Sequence, residues 1–122
     1  MSKIKILLTD DHTLFRQGIR TLLASETDME VVGEAGNGMD AVAMAHELRP
    51  DVVLMDIGMP GMSGYDVARR IREQPRYDHI KLVALTGWGQ EKDRLLSRES
   101  GFDHHLTKPV DFKVLKGLIT SL

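Results

Sequence analysis

Cysteine is absent from the chain, and so is any long run of apolar residues. Without cysteine there are no disulfides, no thiolate metal ligands and no thiol nucleophile, so a nucleophile must be oxygen or nitrogen. The longest apolar runs are far too short to span a bilayer. The run within MSKIKILLTDD ends in two acids, unlike a secretory signal. These absences predict a cytoplasmic protein with no membrane partner.

The chain also lacks an excess of charge of either sign. Its formal net charge is −2, and its lysines and arginines are spread without forming runs, so we expect no direct binding of nucleic acid. A length of 122 residues suits one domain with one core, and we expect residues 1–122 to form it. Since no further pattern follows the last helical one, no output domain is expected in this chain.

Short β-rich apolar runs alternate with helical patterns along the sequence. This alternation is typical of repeated βα units, and it predicts an α/β fold with a doubly wound, five-stranded parallel sheet and helices on both faces. The fifth run is weakly apolar, which favours an edge position. The predicted strands are Ile4–Thr9, Glu30–Ala35, Asp51–Met55, Ile80–Leu85 and His104–Leu106.

Five helices are predicted to alternate with these strands. The fourth, from about Glu91 to Ser100, has the fewest apolar residues, so we expect it to be weakly anchored and to move. Ser63, followed three residues later by Asp66, is typical of a helix start, and Gly101 is typical of a helix stop. The clearest amphipathic patterns lie within Leu14–Leu23, Ala41–Leu48 and Phe112–Ile119.

Polar residues follow the predicted strands at their carboxyl ends. In an open parallel α/β sheet, ligands bind outside these ends, near the point where the strand order reverses. We therefore expect the strand-terminal residues to line one crevice. They are Thr9, Asp10 and Asp11 after the first strand, Asp56 after the third, Thr86 and Gly87 after the fourth, and Thr107, Lys108 and Pro109 after the fifth.

The chemistry of these residues indicates a site for an anion beside a metal ion. The carboxylates of Asp10, Asp11 and Asp56 would repel one another without a counter-charge. Oxygen ligands with room for water suit Mg²⁺, while Lys108 adds a positive charge and Thr86 a hydroxyl donor. Such a set is suited to phosphoryl transfer onto a side chain, with Asp56 as the candidate nucleophile.

Simpler interpretations exist for each residue taken alone. Asp56 could initiate a turn after its strand, and Asp10 or Asp11 could cap the following helix, a role that is compatible with binding metal. Gly58 and Gly87 fit the site interpretation because small residues let backbone N–H groups approach a phosphoryl oxygen closely. Only the combination of these residues in register favours the site.

Four motifs carry a resemblance that covers essentially the whole chain. They are LLTDD (Leu7–Asp11), LMDIGMPGMSG (Leu54–Gly64), ALTGWG (Ala84–Gly89) and LTKPVD (Leu106–Asp111). In this order and spacing, the chain resembles a response-regulator receiver domain of two-component signalling.

The resemblance implies a flavodoxin-like fold with strand order 2-1-3-4-5 and a role for each matching residue. Asp56 matches the phosphorylated aspartate, Thr86 the switch hydroxyl and Lys108 the catalytic lysine before a proline. The implied reaction is attack by Asp56 on a phosphohistidine, followed by hydrolysis, in a phosphoacceptor domain that is not an enzyme. The implied Mg²⁺ (or Mn²⁺) ligands are Asp10, Asp11, Asp56 and the backbone carbonyl of Gly58. The implied phosphoryl-binding residues are Ile57, Gly58, Thr86, Gly87 and Lys108.

Two departures from the family pattern bear on switching and on lifetime. Receivers usually carry Tyr or Phe three positions before the lysine, as the rotamer partner of the switch hydroxyl, and His105 stands there instead. The switch would then work through imidazole or be weaker. Gly58 and Trp88 occupy the two positions that often control access of water, one open and one bulky, so the phosphoryl lifetime does not follow from this pair.

The resemblance also implies partners. The phosphodonor would be a histidine kinase or a histidine phosphotransfer protein, docking over Leu14 and Phe15 and near Pro109. A homodimer contact through the fourth helix, fifth strand and fifth helix is a further expectation. LLTDDHTLFRQGIRTLL resembles receivers that precede helix-turn-helix output domains, whereas LTGWGQEKDRLLSRESGFDHHLTKPVD resembles receivers associated with hybrid sensor kinases, so the downstream partner stays open.

Two other functions are compatible with such a fold. A pseudo-receiver would bind proteins without being phosphorylated, which the intact set of acids, hydroxyl and amine disfavours. A flavodoxin-like or phosphatase-like enzyme is disfavoured by the lack of an aromatic flavin platform and of a second aspartate two residues after Asp56. His12, His104 and His105 lack the paired spacing of a transition-metal site, so we predict no metal binding by histidine.

Overall fold

The computed structural model of the chain describes residues 3–59, 61–87 and 91–122, apart from the side chains of residues 91–94 and 97. These residues contain a single five-stranded sheet in which all strand pairs are parallel. The strands are β1 (Ile4–Thr9), β2 (Met29–Ala35), β3 (Val52–Asp56), β4 (Lys81–Thr86) and β5 (His104–Thr107). Their order is β2-β1-β3-β4-β5, which confirms the predicted doubly wound α/β fold. β5 lies at an edge, also as predicted.

Helices alternate with the strands. They are α1 (Thr13–Ala24), α2 (Gly38–Leu48), α3 (Gly64–Arg72), α4 (Glu91–Ser100) and α5 (Phe112–Ser121), with a short 3₁₀ turn at Pro75–Tyr77 before β4. The strand bounds differ from the predicted ones by one residue at each end or less. No helix in the described part of the chain combines the length and the apolar character needed to cross a membrane.

The core has two halves because alternate side chains of each strand point to opposite faces of the sheet. Ile6 and Leu8 pack into a cluster with residues of α1 and α5, whereas Leu7 packs into a second cluster with residues of α2 and α3. β3 lies in the middle of the sheet and is buried along its whole length. The apolar run that precedes Asp56 is therefore a central strand covered on both faces.

The connection from β3 to α3 is closely packed. Ser63 caps α3 by accepting a hydrogen bond from the Asp66 N–H at 3.3 Å, which confirms the predicted helix start. A Cβ atom on Gly64, the first residue of α3, would lie 2.9 Å from the carbonyl oxygen of Asp56 and 2.9 Å from the Cα of Ile57. Glycine thus allows the start of α3 to pack directly against the end of β3.

At the other end of the sheet, where the strands begin, Arg72 links α3 to β4 and to the approach to β5. Its guanidinium donates to the carbonyl oxygens of Gly101 at 3.0 Å and Tyr77 at 3.2 Å, and it pairs with Asp103 at 2.8 Å. Oδ2 of Asp103 also accepts from the Leu82 N–H at 2.8 Å. Gly101 has a φ of 110°, and its Cβ would lie 2.6 Å from Cγ of Arg72, so the predicted helix stop is confirmed at a position that requires glycine.

The described part of α4 buries little apolar surface. Leu95 and Leu96 are exposed, while Ser100 at the end of the helix is buried. This agrees with the expected weak anchoring, and movement of α4 stays a prediction. Trp88, which the sequence places at a position that controls water access, and Pro60 lie outside the described residues.

Candidate functional site

Three carboxylates meet at the carboxyl ends of β1 and β3. Side-chain ligand atoms of Asp10, Asp11, Asp56 and His12 all lie within 4.8 Å of one another. Asp10 is fully buried and Asp56 is nearly so, whereas Asp11 is half-buried. The expected convergence of the strand-terminal acids is therefore present in the structure.

Asp10 is held by the turn that joins β1 to α1. Its N–H donates to the Ala35 carbonyl at 3.1 Å, which extends the pairing of β1 with β2 by one bond. The backbone N–H of His12 donates to Asp10 Oδ1 at 2.8 Å, and Arg16 donates to the Asp10 carbonyl at 2.5 Å. These bonds fix both the backbone and the carboxylate of Asp10.

Lys108 brings a positive charge to the same place from the other side of the sheet. Its Nζ lies 3.0 Å from Asp10 Oδ2 and 3.5 Å from Asp56 Oδ1. The backbone N–H of Lys108 donates to the Thr86 carbonyl at 2.6 Å, so the end of β5 stays paired with the end of β4. The ammonium also lies over the ring of Phe15, 4.5 Å from the ring centroid.

The pKa of Asp56 is raised above its ordinary value of 3.8. Burial is the largest cause, because it disfavours the charged form, and the nearby charge of Asp10 adds to it. A hydrogen bond from the Gly58 N–H at 3.2 Å and the charge of Lys108 act in the opposite direction. The charge of Asp56 is thus not fully compensated by the protein, which favours the binding of a further cation.

In the loop after Asp56 some of the backbone is exposed, whereas other backbone N–H groups are already hydrogen-bonded within the sheet. Gly58 is exposed, and a Cβ there would come no nearer than 3.9 Å to Asp56 Oδ1, so the approach from this side is open. Gly87 is also exposed. The Ile57 N–H donates to the Leu85 carbonyl at 3.1 Å. This N–H is therefore paired within the sheet, and the expected phosphoryl contact from Ile57 stays a prediction.

Thr86 and His105 are paired across β4 and β5. Thr86 is buried at the end of β4, and its Oγ1 lies 3.1 Å from Nε2 of His105, which is half-buried. His105, which stands where the family resemblance leads us to expect an aromatic residue, is thus in direct contact with the Thr86 hydroxyl, the predicted switch group. The contact is a hydrogen bond whose direction depends on the imidazole tautomer.

The donor set fits a hard divalent cation. Asp10, Asp11 and Asp56 supply oxygen atoms, the ligand type that Mg²⁺ and Mn²⁺ prefer. Oδ1 of Asp11 is buried and accepts no hydrogen bond within the described part of the chain, although Nδ1 of His12 lies 3.2 Å away. A buried carboxylate oxygen in this condition is suited to coordinating a cation.

Three contacts of the site were not foreseen. Nδ1 of His12 lies 3.1 Å from Asp10 Oδ1 and lines the acid cluster, Phe15 lies under Lys108, and Arg16 holds the carbonyl of Asp10. All three residues lie at the start of α1, His12 as its N-cap, and the only sequence signal for them is their position just after the acidic pair. The prediction that histidine binds no metal stays a prediction.

A crevice of carboxylates beside a lysine and a threonine, at the carboxyl ends of a doubly wound parallel sheet, defines a class of phosphate-handling signalling domains. The family model of the response regulator receiver domain matches residues 6–120. The chain belongs to this family.

Named relatives agree with this assignment. The chain is 40% identical over 105 residues to the response regulator protein VraR of Staphylococcus epidermidis, a match that covers 86% of this chain and 49% of that protein. VraR of Staphylococcus aureus is 37% identical over 110 residues, covering 90% and 52%. The chain spans about half the length of the curated relatives it matches.

Solved structures share the fold along the whole chain. The signal receiver domain of the putative response regulator NarL from Mycobacterium tuberculosis has a TM-score of 0.88 and 27% identity, with all of both chains covered. The signal receiver domain of the DNA-binding response regulator merR from Colwellia psychrerythraea 34H has a TM-score of 0.89 and 27% identity, covering 98% of this chain and 97% of that one.

Proposed function

We propose that this chain is a phosphoacceptor: Asp56 takes a phosphoryl group from a histidine of a sensor kinase or phosphotransfer protein. The observation that carries the proposal is the position of Asp56, which ends a buried central strand within 3.5 Å of the Lys108 ammonium and beside two further carboxylates. Membership of the receiver family supports it.

In this reaction an oxygen of the Asp56 carboxylate attacks phosphorus. A P–O bond forms as the P–N bond to the donor imidazole breaks, and the imidazole leaves with the electron pair. Since only the ionised carboxylate is a nucleophile, the groups that lower the pKa of Asp56, Lys108 and the Gly58 N–H, also help to prepare it for attack.

Charge on the phosphoryl oxygens needs donors that are already in place. Lys108 and Thr86 are the side chains assigned to this role, and the exposed backbone at Gly58 and Gly87 supplies N–H groups. Ile57 stays a predicted contact, although its N–H is bonded to the Leu85 carbonyl. Each chain takes one phosphoryl group, so it acts as a signalling substrate rather than as an enzyme, and hydrolysis of the acyl phosphate by water restores the Asp56 carboxylate.

The metal site in this proposal consists of Asp10, Asp11, Asp56 and the backbone carbonyl of Gly58. A bound Mg²⁺ or Mn²⁺ would supply positive charge that offsets the negative charge of the phosphoryl group and of the acids. Asp10 orients the site through its bonds to His12 and Lys108, and it keeps the ammonium near Asp56.

Switching is assigned to Thr86 and His105. Movement of Thr86 toward a phosphoryl group on Asp56 would break or lengthen its 3.1 Å contact with His105, which lies on the edge strand β5. The surface formed by α4, β5 and α5 would then change its populations, and a partner or a second copy of the chain would read the change. The downstream protein or domain is not identified by this site.

Intact-mass spectrometry tests the proposal. The protein is incubated with Mg²⁺ and acetyl phosphate, beside Asp56→Asn as the matched control. We expect a single phosphoryl adduct on the wild type, no adduct on Asp56→Asn, and loss of the wild-type adduct when the metal is chelated.

No adduct on the wild type, or an equal adduct on Asp56→Asn, would reject Asp56 as the acceptor. If the wild type takes no phosphoryl group yet binds a kinase or phosphotransfer protein, the alternative of a non-phosphorylated binding module replaces this proposal.

A further inference from the structure

The aromatic ring of Phe15 lies against the ammonium of Lys108. Nζ is 4.5 Å from the ring centroid, within the range of about 6 Å in which a cation is attracted to the face of an aromatic ring. Phe15 is half-buried and packs against the core cluster shared by α1 and α5. The ring is therefore anchored on one side and meets the charge on the other.

The position of the Lys108 ammonium depends on contacts around it, because its side chain is long and flexible. Lysine carries its charge on a flexible four-carbon stem, and here it reaches from the edge of the sheet to Asp10 at 3.0 Å and Asp56 at 3.5 Å. Each carboxylate is also an expected metal ligand. A ring face attracts the ammonium without using any carboxylate oxygen, and it leaves the N–H donors free for an anion.

We propose that Phe15 is a positioning residue for the phosphoryl-transfer site: its ring holds the Lys108 ammonium over the acids. Phe15 itself does not touch the phosphoryl group. This inference rests on the proposed function. Phe15 also lies in the segment of α1 where the phosphodonor protein is expected to dock. A docked donor that displaces the ring would therefore also displace the Lys108 ammonium.

Phosphorylation rates of two replacements test the role of the ring. Phe15→Leu keeps an apolar side chain but removes the ring face, while Phe15→Tyr keeps both. With acetyl phosphate as donor, we expect Phe15→Leu to be phosphorylated roughly two- to fivefold more slowly than wild type and Phe15→Tyr to stay near wild type. Leu22→Ala, an exposed position on the same helix, is the control and should be unchanged.

Two further measurements separate positioning from a general loss of structure. Calorimetric titration with Mg²⁺ should give the same affinity for wild type and Phe15→Leu, and thermal unfolding confirms that each variant is folded. In a Lys108→Ala background, Phe15→Leu should have no further effect on the rate, because the group that it positions is gone.

Equal slowing by Phe15→Leu and Phe15→Tyr, or the same slowing by Phe15→Leu with and without Lys108, would overturn the proposal.

Proton NMR of the unphosphorylated protein gives a readout that does not depend on phosphoryl transfer. The ε-methylene protons of Lys108 should be shifted upfield by the ring current, and Phe15→Leu should move them back while Phe15→Tyr should not. The same shift in wild type and Phe15→Leu would overturn the positioning role. A wild type that accepts no phosphoryl group overturns the proposed function, while the shift still reports whether the ring holds the lysine.

Discussion

Gly64→Ala should show how tightly β3, the strand that ends in Asp56, is coupled to the helix that follows it. The new methyl group would meet the Asp56 carbonyl oxygen and the Ile57 Cα, each at 2.9 Å, and Ile57 Cδ1 at 3.0 Å. Two of these three atoms belong to backbone, so α3 or the end of β3 must shift. Overpacking of this kind costs about 1–3 kcal/mol of unfolding free energy, less a few tenths gained from helix propensity.

Thermal unfolding measures this cost. For a chain of this size a loss of 1 kcal/mol lowers Tm by roughly 3–6 °C, so we expect Gly64→Ala to lower Tm by roughly 2–16 °C. Phosphorylation by acetyl phosphate should also slow, because the shift acts on the residue that carries Asp56.

Gly18→Ala is the matched control for this substitution. Gly18 lies inside α1, and apart from its chain neighbours and the nearby helix backbone no atom lies within 4 Å of its Cβ position, so alanine there should raise stability by about 0.5–1 kcal/mol through helix propensity. The same direction of Tm change in both variants, or no change in Gly64→Ala, would contradict the close packing between β3 and α3 that the structure describes.

Three further predictions concern the site itself. The pKa of Asp56 is raised in the folded protein, so wild-type stability falls as pH rises from the ordinary pKa of 3.8 through the folded pKa. Asp56→Asn carries no such charge and should be more stable than wild type at pH 7 without metal. Urea unfolding measures this difference in stability, which should disappear below pH 3.8. Lys108→Met leaves Asp10 and Asp56 without their cation and should slow phosphorylation about a hundredfold, against an unchanged rate for the exposed Lys113→Met; equal rates would remove Lys108 from the mechanism. His105→Tyr should change the phosphorylation dependence of partner affinity, measured by titration calorimetry, more than it changes the rate of phosphorylation, and unchanged coupling would count against an imidazole switch.

Much of the fold followed from local patterns. The strands alternate with helices, and four of the five end where apolar residues give way to Asp, Thr or Lys, so their bounds were predicted to within a residue. Parallel strands place their carboxyl ends at one edge, and this alone brought Asp10, Asp56 and Lys108 together. The order of the strands came from the family resemblance, because no local pattern specifies which strands are neighbours.

Other features depend on three-dimensional packing that no spacing rule contains. The Ile57 N–H pairs with the Leu85 carbonyl because β3 and β4 continue their ladder one residue further than the side-chain pattern suggests, and a phosphoryl contact from Ile57 stays a prediction. Phe15 and Lys108 are separated by most of the chain and meet because each follows the carboxyl end of a strand in the same parallel sheet. His12 turns back on the acids through the bond from its own N–H to Asp10.

Arg72 fixes the end of the sheet that lies opposite the acid cluster. By tying α3 and the segments before β4 and β5 together through Tyr77, Gly101 and Asp103, it clamps the end of the sheet opposite Asp56. We then expect phosphorylation at the carboxyl ends of the strands to tilt α4 and β5 about the contacts of Arg72 rather than to slide them. The distance between two probes placed across the amino ends of the strands should stay constant on phosphorylation. The distance between two probes placed across the carboxyl ends should change.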